Sequence, residues 1–158
     1  MKQYLNILLD AIEKKDIILT NIQNLVDEQE RMLGDKEFSL ADYNRLMEQK
    51  GKLIEDMNKL DDGFTAVYAR ISPRLRLDPK PYTEQMIELQ RRVNAVSEKT
   101  ALIQAKEMRI ANLVDRMVKS TQPVSNHTIS KSDVANKYAQ VMKKNVVKPQ
   151  SIFINKKN

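Results

Sequence analysis

Apolar residues recur at alternating steps of three and four along three long stretches of this chain. The first is Leu5, Leu8, Ile12, Lys15, Leu19, Ile22, Val26, Gln29 and Leu33. The second is Tyr43, Leu46, Lys50, Leu53, Met57, Leu60, Phe64, Val67 and Ile71. The third is Tyr82, Met86, Leu89, Val93, Val96, Thr100, Ile103, Glu107, Ile110, Val114 and Met117. Of these 29 positions 24 are apolar, twice what a chain that is 41% hydrophobic places by chance. A period of 3.5 belongs to helices whose apolar seams face one another. The pattern predicts an all-α fold, a long antiparallel three-helix bundle or coiled coil over residues 1–118, with helices at about 2–33, 40–72 and 82–118. At a rise of about 1.5 Å per residue such helices are rods of roughly 45 to 55 Å, which offer surfaces more readily than clefts.

The ends of these helices are written in local chemistry. Gly34 and Asp35 interrupt the first, and Ser39 with Asp42 three residues on resembles a capping box opening the second. Pro73 is expected to end the second helix, and Pro73, Pro79 and Pro81 to hold the next connection partly extended. Gly51 and Gly63 fall inside the second helix, but the seam runs through both, so the helix is read as whole.

Charge divides the chain at the same place as pattern. Residues 1–118 carry 19 Lys and Arg against 20 Asp and Glu, whereas residues 119–158 carry eight Lys against the single Asp133. The excess positive charge is therefore a property of a C-terminal tail, set off by the polar run Ser120 to Asn126 with Pro123 in its middle. Within the tail Val134, Ala135, Tyr138, Val141 and Met142 have helical spacing over about three turns, a helix too short to be stable in water without a surface to fold against. Residues from Pro149 onward lack periodicity and read as disordered.

Charges also occur on the seams themselves. Antiparallel pairing across the two connections brings Gln29, Lys50 and Glu107 within about a turn of one level. A polar layer there would fix register. The alternative, which the uncertainty in loop geometry favours, is that Lys50 and Glu107 snorkel outward from a loose seam. Asp61 and Asp62, like Asp27, Glu28 and Glu30, read as solvated charge on outward faces beside lysines.

Little in the chain points to catalysis. There is no Gly-rich phosphate loop, HExxH, GxSxG or cysteine, and the one histidine, His127, stands in the linker as an exposed residue without metal-ligating company. No enzyme, cofactor or metal is expected. The N-terminal stretch is too charged for a signal peptide, no apolar run reaches about 18 residues, and the absence of cysteine suits a reducing compartment, so a cytoplasmic location is expected. The tail lysines Lys143, Lys144, Lys148, Lys156 and Lys157 could neutralise phosphates, but the tail has no Arg and only Tyr138 and Phe153 as aromatics, a poor set for nucleic acid. A membrane surface fits no better, because the apolar face is narrow. Met86 and Met117 read as core filling. Met108, off the seam, and Met142, beyond the bundle, read as interface residues suited to accepting varied helices.

A long helical hairpin, a third long helix and a tethered short helix together resemble a FlgN-type flagellar export chaperone. The resemblance is carried by Leu60-Asp-Asp-Gly-Phe-Thr-Ala-Val-Tyr-Ala-Arg-Ile71, by Ile103-Gln-Ala-Lys-Glu-Met-Arg-Ile-Ala-Asn-Leu113, and by the stretch from Tyr138 to Gln150. It implies a cytoplasmic protein that holds the helical terminal segments of hook-associated (hook–filament junction) proteins and presents them to the flagellar type III export apparatus, with no catalytic residues. Chaperones of this family are more often acidic, so the partner of the basic tail stays open. The residues themselves fit helix-in-groove recognition. On that reading the contacts are Met108, Leu113, Val134, Tyr138, Val141 and Met142, with the tail either closing over a client or occupying the groove in its absence. The alternative is a structural coiled-coil scaffold or adaptor whose basic tail binds an acidic partner.

Overall fold

The computed structural model describes residues 1–120, which form helix α1 (Lys2–Leu33), helix α2 (Leu40–Leu77) and helix α3 (Thr83–Ser120), with a short 3-10 turn at Lys80–Tyr82. The expected short helix over Val134 to Met142 and the disordered end beyond Pro149 lie outside the described residues.

The helices begin and end largely where local chemistry directs. The backbone amides of Gly34 and Asp35 close the last turn of α1 onto the carbonyls of Arg31 and Met32. Ser39 caps α2, its Oγ accepting from the Asp42 amide at 3.3 Å. The expected stop at Pro73 does not occur, because α2 continues to Leu77. Proline removes one hydrogen bond and crowds the preceding turn at a cost of about 3 kcal/mol. Two residues further Leu75 is buried at 6% exposure, and fully burying a leucine is worth roughly 1.5 to 3 kcal/mol, so the cost of continuing past the proline is nearly offset. Pro73 itself faces solvent, where a distorted turn displaces no neighbour.

α1 is the hub. It approaches both α2 and α3 closely along its length, while the backbones of α2 and α3 keep farther from each other. Its seam is the expected one through Gln29, with Met32 rather than Leu33 as the last buried position. The α3 seam is also as expected, its end positions Tyr82, Met86 and Met117 being partly buried. The α2 seam differs. Its buried row is Tyr43, Met47, Lys50, Ile54, Met57, Asp61, Phe64, Tyr68, Ile71 and Leu75. Leu46, Leu53, Leu60 and Val67 are half-buried instead, on one flank of that row. Two apolar rows compete on this helix, and Asp61 made the true one look interrupted.

This rotation sets a graded test of the seams. Leu19→Asp and Ile103→Asp, both at positions with no exposure, are expected to cost about 2 to 4 kcal/mol in urea unfolding. Leu60→Asp, whose side chain reaches solvent, is expected to cost less than about 1 kcal/mol. Equal losses at all three positions would contradict the rotated seam.

Candidate functional site

Two polar layers cross the core. In the first, Lys50 Nζ donates to Glu107 Oε1 at 2.8 Å and to Gln29 Oε1 at 2.9 Å, joining all three helices. Lys50 and Gln29 have no solvent exposure and Glu107 has 5%. The expected snorkelling of Lys50 and Glu107 is thus overturned. α1, α2 and α3 stand so that each supplies one member at the same height, the Lys50 ammonium bonding to both partners while Gln29 Nε2 is left buried without a hydrogen bond. In the second layer Lys15 Nζ donates to Asp61 Oδ1 at 2.7 Å, and both residues are buried. Asp61 therefore corrects the reading of it as an outward solvated charge; Asp62 is exposed, as expected. Burial lowers the pKa of both lysines, and their carboxylate partners oppose that shift. The phenol of Tyr43, buried and near Glu107, is raised well above its ordinary 10.0. Nothing in either layer opens to a cleft, and both read as register devices rather than acid–base machinery.

The three edges of the bundle differ in chemistry. The α1–α3 edge is ionic: Lys99 Nζ meets Asp16 at 2.7 Å, Lys106 meets Asp27 at 2.5 Å, and Arg109 grips both oxygens of Glu30 at 3.0 Å. Arg92 adds a longer contact of 3.8 Å to Glu13, and Gln85 donates to Asn6 at 3.1 Å. These pairs advance together along both helices, so α1 and α3 are parallel, with acids on α1 and bases on α3. The α1–α2 edge is mixed, with Ile18 and Leu60 in a shallow groove of about 470 Å³ beside exposed Ile17 and flanked by Lys14, Asp56 and Lys59.

The α2–α3 edge is unlike either. The flank of α2 away from α1 carries Asn44, Gly51, Asn58, Thr65 and Ser72, one every seven residues. The matching flank of α3 carries Gln90, Ser97, Gln104, Ala111 and Val118. All ten are uncharged and most are small, so with the backbones held apart they floor a groove. Its end between the α2 C-terminus and α3 is an apolar hollow of about 420 Å³ lined by Leu75, Pro79, Thr83, Met86, Ile87 and Gln90. Ile87 and Met108 stand exposed on the α3 wall at 64% and 68%.

Of the expected contact residues, the described part of the chain contains Met108 and Leu113. Five residues apart on a helix, they point about 140° away from each other. Met108 is on the groove wall, whereas Leu113 is half-buried on the flank towards α1, so the two do not form one surface. Val134, Tyr138, Val141 and Met142 lie outside the described residues. Sequence reasoning passed over the groove because its floor consists of small uncharged residues that no apolar period marks. The signal that could have found it was the seven-residue recurrence of such residues on both helices.

Among the described residues no cluster of His, Asp or Glu is placed to hold a metal ion, and no helix is long and apolar enough to cross a membrane. No protein-family model matches the chain, and none of the curated proteins or solved structures compared with it matches either.

Proposed function

We propose that this chain is a helix-binding protein, and specifically a cytoplasmic flagellar export chaperone that holds helical terminal segments of hook-associated proteins and delivers them to the type III export apparatus. The observation that carries the binding role is the α2–α3 groove, whose floor is uncharged and whose α3 wall carries exposed Met108 and Ile87. An amphipathic helix laid in such a trough buries its apolar face against the uncharged floor, and a thioether adapts to varied shapes. The flagellar assignment is narrower and is supported by the resemblance of the α2, α3 and tail sequences. The scaffold alternative needs apolar seams left over for other copies, and here all three helices satisfy their main seams within one chain.

The test is titration of the purified protein with a peptide from the terminal helix of a hook-associated protein. Binding in the micromolar to nanomolar range is expected, and Met108→Asp should weaken it at least tenfold, about 1.4 kcal/mol, without moving the melting temperature. No binding by the parent would sink the export reading, and a stable tetramer in solution would favour the scaffold.

A further inference from the structure

The outer walls of the α2–α3 groove are lopsided in charge. On α2 the wall is formed by Glu48, Glu55 and Asp62, exposed and spaced one heptad apart. On α3 it is Ile87, Asn94, Ala101 and Met108, all exposed and without charge, followed one heptad on by Asp115, which pairs with Lys119. The groove therefore asks for an occupant that is apolar beneath and on its α3 side, and basic on its α2 side.

The chain carries such a segment. Around a helix over residues 134–145, Val134, Tyr138, Val141 and Met142 gather on one face within about 100°. Lys137 and Lys144 fall together on one flank of that face, seven residues apart, the same interval as Glu48 and Glu55. The tether gives the direction. α3 ends at Ser120, beside the α1–α2 connection, and residues 121–130 span up to roughly 33 Å extended, ample for a reversal. A segment returning along α3 runs antiparallel to it and parallel to α2. In that direction a right-handed helix with its apolar face on the groove floor turns the Lys137 flank towards α2, not α3. The opposite direction would set the lysines against the uncharged wall. Levels agree as well. Lys50 pairs with Glu107, so Met108 stands level with the α2 turn that holds Glu48. Placing Lys137 beside Glu48 puts Lys144 beside Glu55 and Tyr138 against Met108.

We propose that residues 134–145 of the chain's own tail dock along the α2–α3 groove, with Lys137 and Lys144 against Glu48 and Glu55 and Tyr138 against Met108. The tail is then the resident ligand of the surface assigned above to client helices, and a client must displace it. This rests on that reading of the groove but not on the identity of any client.

Cysteine cross-linking tests it without a client. The natural chain has no cysteine, so Met108→Cys with Tyr138→Cys reports one contact, and Asn24→Cys with Tyr138→Cys, on the exposed outer face of α1, is the control. With a short bismaleimide the first pair is expected to close within single molecules about tenfold faster than the control, as a docked tether raises effective concentration. Glu48→Lys with Glu55→Lys should bring that rate down to the control, and adding Lys137→Glu with Lys144→Glu should restore it. Equal rates for the two pairs, a dimeric product, or indifference to the charge reversal would each overturn the proposal. None of those results bears on whether the parent protein captures a hook-associated peptide, so the two readings fail separately.

Discussion

Replacing Asp61 by alanine is expected to destabilise the protein by about 3 to 5 kcal/mol, because it leaves the Lys15 ammonium buried with its partner removed. The native pair is not itself a large source of stability, since both charges lose their hydration when the bundle closes. Replacing both partners together, Lys15→Met with Asp61→Leu, is therefore expected to be neutral or to stabilise by roughly 1 to 4 kcal/mol. Urea unfolding of the parent, the single variant and the double variant measures both statements. A single variant as stable as the parent would mean that Lys15 escapes to water, and the buried geometry would be wrong. Loss of a unique pairing of helices in the double variant, seen as a broadened transition or a change of mass, would show that this layer chooses register.

The second large effect belongs to the layer at Lys50. Glu107→Ala removes a carboxylate bonded to a lysine that has no solvent exposure, and a cost of about 3 to 5 kcal/mol is expected here too. Its dependence on pH has a sign that follows from the groups around it. Burial first, opposed by Glu107, lowers the folded-state pKa of Lys50, and burial lowers that of Lys15 against Asp61. Between those lowered values and the ordinary 10.5 the unfolded chain holds more protons, so stability rises with pH through that window. Tyr43 acts oppositely: its phenol is raised above 10.0, so the stability it contributes is present below pH 10 and is lost as pH climbs beyond it. Parent stability should therefore rise through the lysine window, with Tyr43 opposing that rise above about pH 10. In Glu107→Ala the rise should begin at lower pH, because the charge that held the Lys50 pKa up is gone. Thermal melts across pH 7 to 10.5 would decide this, and a parent curve that falls steadily over that range would contradict it.

The architecture was legible from periodicity because in α1 and α3 the apolar row with the 3-4 spacing is also the most deeply buried one. α2 carries two competing rows, and a local pattern cannot say which faces the hub. The choice was made by Asp61, whose charge looked disqualifying until Lys15, 46 residues away, supplied its partner. Pro73 misled for a related reason: its local penalty is real, but Leu75 answers to the core and not to its neighbours in sequence. The groove was the least legible feature. It is defined by the distance between two backbones and by what its residues lack, and neither is a property of any one segment.

The ionic α1–α3 edge has a bearing on how the chain comes to be folded during synthesis. Its partners are separated by 79 to 83 residues, as in Lys106 with Asp27 and Lys99 with Asp16, whereas α1 and α2 are joined by a short turn. Closing the distant edge carries the larger loop entropy, so the hairpin of α1 and α2 is positioned to form first. A ribosome delivers the same order, releasing the hub and its first neighbour before α3 exists. During that interval Lys15 already has Asp61, but Lys50 must wait in water until Glu107 emerges 57 residues later. The third helix of the bundle thus brings the charge that permits its middle to become dry.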